Sequence, residues 1–224
     1  MGAWRMEFFA PVASFRDPLF PRASRSLPLP PPSTVRGMLA AASGAPAEPV
    51  TLGLAAWSEG RGVDLETYHP IAADGSNPAV AGRVRAIKGG MTVRDRPFLA
   101  GLHLVVWLTE PDGSRLQRAL RRPCWPLRLG RSQDLVHVRA MKRVILEAAE
   151  TAAVGHALAP LDGHRVGAAH TYRMATSLST DRLTTTWADY LWCDEPTGAH
   201  PVHGAFKDTS GDQHEGQAVW LLAP

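Results

Sequence analysis

Three groupings of residues in this chain have the types that chemistry requires. His69 follows Tyr68, and Lys88 lies in the same stretch. A base, an acid and a cation are what metal-independent cleavage of an RNA backbone needs, to move the proton and to offset charge on the pentavalent phosphorus. His200 and His203, three apart, are followed by Asp208, Asp212 and His214, which are the residue types of a metal site. They sit in a segment with Pro and Gly and no fixed scaffold, so no metal is expected there. The third grouping is cationic: Arg115 to Arg143 holds nine Lys and Arg against one acid, Asp134. This is phosphate-binding chemistry. Within it, Arg128 precedes Leu129 and Gly130, and the run continues through Arg131, Ser132 and Gln133 to Asp134. A glycine ahead of Arg131 and Ser132 lets backbone approach an anion and present its N–H groups. Arg118, Arg121 and Arg122 read instead as the solvated side of a short helix. There is no P-loop, zinc-protease helix or Gly-x-Ser-x-Gly elbow, and no cofactor is expected.

Further cations lie outside that run. Ser33 and Thr34 follow Pro30 to Pro32 and open a helix, whose first N–H groups attract a phosphate, with Arg36 one turn in. Simple capping by Ser33 accounts for that residue equally well. Arg16 and Arg25 flank this helix in a Pro-rich loop. Arg83, Arg85 and Lys88 alternate toward Gly89 and Gly90, as on a basic strand edge leading to a turn. Aromatic faces for base stacking are few near these cations, and Phe15, Tyr68 and Phe98 are the candidates.

The elements that must hold these residues follow from periodicity. Trp4, Met6 and Phe8 alternate with Arg5, Glu7 and Phe9, the pattern of a strand with one face on a core. Val35, Met38, Leu39 and Ala42 give a helix from Ser33 as N-cap to Gly44 as C-cap, and Gly37 inside it suggests a close approach to another backbone. Strands are expected at Thr51–Ser58 and Leu99–Thr109, around a long insertion at 59–97. A helix capped by Ser114 and ended by Pro123 follows, then a strand at Leu135–Leu146. Residues 147–158 fit either helix or strand. Weaker strands are expected at 165–174, 189–193, 206–207 and 217–222. The reading is α+β: a β-α-β-β-α-β order matching a ferredoxin-like (RRM-like) unit over residues 1–146, then a smaller β-rich part over 147–224.

The 224 residues suffice for a self-supporting core. Cys124 and Cys193 are far apart and read as ordinary thiols in a reducing compartment. The apolar N-terminal stretch is interrupted by Glu7 and Pro11, too short for a signal or membrane segment, so a cytoplasmic protein with no membrane partner is expected. The formal charge of +3 hides a polarity: residues 1–143 carry 20 Lys and Arg against 11 Asp and Glu, and residues 144–224 carry 4 against 10. A nucleic-acid face on the first part and a protein-facing second part are expected. The bases are 21 Arg and 3 Lys, which suits phosphate recognition and is equally the mark of a GC-rich genome.

Three pieces stand in one order: Ser14-Phe15-Arg16, the run Pro-Pro-Pro-Ser-Thr-Val-Arg-Gly-Met-Leu at 30–39, and Leu-Gly-Arg-Ser-Gln-Asp-Leu-Val at 129–136. Together they resemble the Cas-five family, the RAMP-superfamily subunit of type I CRISPR Cascade complexes. The resemblance covers about the first two-thirds of the chain. It implies a RAMP domain with a thumb-like hairpin at the insertion. It also implies a role without turnover: gripping the 5′ handle of the guide RNA (crRNA) and capping the backbone filament. The partners it implies are the backbone subunit and the large subunit, and it allows target DNA near the PAM-proximal end. A minority branch cuts precursor RNA with His, Lys and Tyr; its adjacent Lys-His pair is not visible here, and endoribonuclease activity is the alternative reading. The RNA-binding set expected is Arg16, Arg25, Ser33, Thr34, Arg36, Arg83, Arg85, Lys88, Arg128, Gly130, Arg131 and Ser132.

Overall fold

The structure, a computed structural model, describes residues 1–20, 25–68, 71–72, 85–86 and 92–224. Strand β1 (Gly2–Ala13) shows the expected alternation, with Met6, Phe8 and Ala10 in the main core and Arg5, Glu7 and Phe9 on the other face. A short ladder of β2 (Phe15–Arg16) and β3 (Ser26–Leu27) follows. The proline run then leads into α1 (Pro32–Ser43), closed by Gly44 in the left-handed conformation at φ +76°. Two expectations change here. Ser33 lies inside the first turn, Pro31 is the N-cap, and no side chain caps the helix. Prolines suffice because Pro32 lacks an N–H that would have gone unbonded in any case. Gly37 does not lie against another backbone, since a Cβ there would meet nothing within 4 Å.

Strand β4 (Gly53–Tyr68) runs out from the core, β5 (Ile71–Ala72) pairs with β6 (Arg85–Ala86), and β7 (Thr92–Thr109) returns. β4 and β7 stay paired from Gly53↔Trp107 to Tyr68↔Thr92. The flanks of the expected 59–97 insertion are therefore strand. The sequence hid this because no core lies beneath: Val63, Leu65 and Val93 are 63%, 69% and 64% exposed, so burial imposes no period of two.

Helix α2 (Asp112–Arg121) follows. Ser114 is not its cap; the Glu110 carboxylate accepts from the Ser114 N–H at 3.1 Å and from its hydroxyl at 2.7 Å. Strand β8 (His137–Ala153) settles the ambiguity at 147–158 as strand as far as Ala153, and the boundary expected at residue 146 falls inside it. The chain continues through β9 (Ala159–Pro160), β10 (His170–Leu178), β11 (Thr185–Trp192), β12 (Ala199–Asp208) and β13 (Ala218–Val219). The main sheet has the order β13-β12-β8-β1-β7-β4, with every neighbour antiparallel. The small sheet has the order β10-β11-β9. The architecture is α+β. Val35, Met38 and Leu39 of α1 and Leu116 and Leu120 of α2 share one core with Met6, Phe8, Leu104 and Val106, so both helices cover one face of the main sheet. Met174, Tyr190 and Trp192 join that core, which docks the small sheet beside α1. No described helix is long and apolar enough to cross a membrane.

Candidate nucleic-acid interface

The N-terminal turns of α1, Gly130 and the turn between β10 and β11 together line a cleft of about 420 Å³. Ser33, Thr34, Ser177, Ser179 and Thr180 contribute hydroxyl-bearing residues, Gly37 leaves its wall open, and Arg182 adds a guanidinium. Among the expected residues, Ser33, Thr34, Arg36 and Gly130 are thus brought together. Pro32 has no N–H, and the N–H groups of Thr34 and Val35 both donate to the Pro31 carbonyl, at 2.9 and 3.2 Å, so the Ser33 N–H is the one left without an acceptor in the helix, and the first turn has no acidic residue to occupy it. Glu48 also lines the cleft, but both its oxygens accept from Arg115, at 2.8 and 2.7 Å, and this pair holds its carboxyl below the usual range. Asp181 in the β10–β11 turn accepts from the Ser179 hydroxyl and the Leu183 N–H. Among the described residues Arg182 is exposed and has no carboxylate partner. The balance offered to a ligand is cationic, with the Ser33 N–H and the Ser33 and Thr34 hydroxyls as donors, which suits a phosphate.

Arg36 has a different place from the one expected. It is 4% exposed, and its guanidinium donates to the carbonyls of Val50 (2.9 Å), Thr176 (2.7 Å) and Leu222 (2.8 Å). Burial opposes its charge and lowers its pKa; three carbonyl dipoles offset that cost. All three of its nitrogens are engaged inside the protein, so it builds the cleft by fastening β10 and the C-terminal segment to α1.

The loop at 129–134 is likewise knit to the protein. Asp134 accepts from the N–H of Ser14 and of Arg131 and from Arg131 Nε, at 3.0–3.1 Å. Arg131 also reaches Asp64 at 3.3 Å, so two carboxylates offset its charge. Gly130, at φ +111°, is the residue of close approach, and what it approaches is Ser14: a Cβ would meet the Ser14 carbonyl at 2.7 Å. Ser132 and Arg128 are exposed.

A second cleft, of about 460 Å³, is lined by Arg25, Arg61, Phe98 and Tyr172 among others. Arg25 lies 4.7 Å over the Phe20 ring and 3.9 Å from Asp17. Arg16, on β2, is exposed. Of the expected stacking residues, Phe98 lies across Gly62 and is half-buried, whereas Phe15 is in the core and cannot stack on a ligand. Arg83, Lys88 and His69 lie outside the described residues, and Arg85 and Tyr68 are described only as backbone, in β6 and β4. The thumb contact and the Tyr68/His69/Lys88 grouping therefore have no geometry here.

Among the described residues no three His, Cys, Asp or Glu side chains gather as a metal site. Asp208 and Asp212 bind Arg5 instead, together with the Ser210 hydroxyl. The sequence reading missed Ser177, Ser179, Thr180 and Arg182. Their only signal was a Ser/Thr-rich turn between two strands, in a half of the chain whose charge balance pointed away from nucleic acid.

The family model described as CRISPR-associated protein (Cas_Cas5) matches residues 5–201, most of the chain. Two solved structures share the fold. One is a chain of a CRISPR RNA-guided surveillance complex, with 20% identity and a TM-score of 0.54 over 89% of this chain and 91% of that one. The other is a CRISPR protein from Archaeoglobus fulgidus, with 12% identity and a TM-score of 0.53 over 98% of each chain. A search of curated proteins found no match.

Proposed function

This chain belongs to the CRISPR-associated Cas5 family, and from that premise we propose that it is a non-catalytic subunit of a type I CRISPR surveillance complex that holds the 5′ handle of the guide RNA. The observation that carries the reading is the α1 cleft. It combines the Ser33 N–H at the start of α1, the hydroxyls of Ser33 and Thr34, and Arg182, which has no carboxylate partner among the described residues, the groups that a single-stranded RNA backbone with its 2′-hydroxyls calls for.

The finer parts of the reading rest on the same premise. In the order β8-β1-β7-β4, the fourth, first, third and second strands of a β-α-β-β-α-β unit are neighbours, which supports a ferredoxin-like RAMP domain. The β4–β7 ribbon is the base of its thumb. The fold's likeness to a surveillance-complex chain supports assembly with a backbone subunit and a large subunit, in the cytoplasm, close to target DNA. The test is handle-RNA binding by the complex co-expressed from the neighbouring genes, measured over a salt series. Arg182→Ala should weaken binding and lower the slope of log affinity against log salt by about 0.7. Repeat RNA incubated with the chain in EDTA should stay intact; a single defined cut, lost on changing Tyr68 or His69 to Ala, would replace the binding role with that of a nuclease.

A further inference from the structure

The face of the main sheet opposite the helices is closed along only part of its length. Around Trp107 it is covered by the C-terminal segment: Trp107 Nε1 donates to Asp208 at 2.9 Å, and a Cβ on Gly53 would strike Val219. Further along the same strands lies a row of rings, Trp57 on β4, His103 on β7, Phe9 on β1 and His137 on β8. Successive ring centroids are 5.0, 5.1 and 5.5 Å apart, close to the spacing of neighbouring strands. Trp57, His103 and Phe9 are half-buried and His137 is exposed.

One side chain here is placed by an irregularity. β1 and β8 pair as Glu7↔Ala140 and then as Phe8↔Val138, which makes Arg139 the extra residue of a β-bulge. Bulges re-aim a side chain, and the guanidinium of Arg139 lies 3.9 Å from the centroid of the Phe9 ring. Arg139 is exposed, and among the described residues it has no carboxylate partner. The nearby acids are engaged: Glu59 with His103 at 2.8 Å, and Glu7 with Arg5 at 3.2 Å and His214 at 3.7 Å. Trp57 is stacked by both His103 and His156, at 5.0 and 5.2 Å. An exposed cationic guanidinium thus lies over an aromatic ring on this open face.

We propose that this open part of the sheet binds unstacked bases of single-stranded nucleic acid, with Arg139 on Phe9 as the stacking platform. A guanidinium over an aromatic ring stacks a base and attracts its phosphate together. The surface lies across the sheet from α1, so it does not rest on the reading of the α1 cleft.

The test uses the full chain with labelled U-rich RNA and T-rich DNA of about twelve nucleotides, free of repeat-derived sequence. Arg139→Ala and Phe9→Leu should each weaken binding about tenfold, Arg139→Lys should not restore it, and Arg118→Ala, on the solvated side of α2, should leave it unchanged. An effect confined to RNA assigns the surface to the guide, one confined to DNA assigns it to a target strand, and either supports the proposal. A thermal melt accompanies each variant; should Phe9→Leu fail to fold, the Arg139 variants, at an exposed bulge, carry the test. Absent oligonucleotide binding by the unaltered chain, unchanged affinity in Arg139→Ala, full rescue by Arg139→Lys, or crosslinks from this face only to another protein chain would overturn it.

Discussion

Arg36 on α1 and Thr176 on β10, 140 residues apart in the chain, are joined by a 2.7 Å hydrogen bond from the guanidinium to the carbonyl. With its bonds to Val50 and Leu222, Arg36 serves three buried acceptors. Arg36→Met should destabilise the protein by about 2–4 kcal/mol, because it leaves carbonyls unbonded while recovering part of the cost of burying the charge. Denaturant unfolding measures this; a change within about 0.5 kcal/mol would mean that the guanidinium is a surface group.

Gly37 separates stability from binding. It is an exposed helical glycine with open space where a Cβ would stand, and it lines the α1 cleft. Gly37→Ala should stabilise the fold by about 0.5–1 kcal/mol. Gly37→Glu should fold with a near-normal melt yet bind handle RNA at least about tenfold more weakly, through a carboxylate set among the phosphate donors. Undiminished binding by Gly37→Glu would remove RNA from this cleft.

Asp134 organises the 129–134 loop by accepting from Ser14 and Arg131. Asp134→Ala should cost about 2–3 kcal/mol, since it leaves buried donors unbonded and Arg131 with only Asp64 as a partner. Arg131→Ala should cost less, because its Asp64 contact is surface-exposed. Equal and negligible effects in thermal melts would show that the loop is held by other means.

The fold was legible wherever one face of an element meets a core. β1 and α1 carry the 2.0 or 3.6 period because Met6, Phe8, Val35, Leu39 and Leu104 pack together, and the inner halves of β4 and β7 stand out as apolar runs because Ala55, Val105 and Trp107 are buried on the other face. The outer ribbon was illegible because its apolar residues meet solvent. The site was legible only as far as local signals reach. Ser33, Thr34 and Gly130 were chosen for helix-end and glycine chemistry, and they do share a cleft. Arg36 was misplaced because burial of a cation depends on carbonyls brought in from residues 50, 176 and 222, a tertiary fact with no local trace. Arg182 was hidden by averaging charge over a long acidic segment.

Acid should weaken the protein in two stages. Burial, with Arg5 close by, holds the His214 pKa below its ordinary value, and burial does the same for His156 and His164. The unfolded chain then binds more protons as pH falls below about 6.5, so stability declines from there. Asp212 is held below its ordinary range by Arg5, and Glu48 by Arg115. Their contribution is present above about pH 4 and is lost as pH falls through their lower folded values. Melting temperature should fall between pH 7 and pH 5.5, and less so in His214→Gln; a flat profile over that interval would show that these histidines are not held neutral.

The most direct measurement is photo-crosslinking of a guide RNA carrying 4-thiouridine in its 5′ handle, within the assembled complex, with the peptides mapped by mass spectrometry. The account predicts crosslinks to the segments around residues 33–37 and 177–182, lost when Gly37→Glu is introduced. Handle crosslinks that avoid both segments, or that persist undiminished in Gly37→Glu, would contradict it.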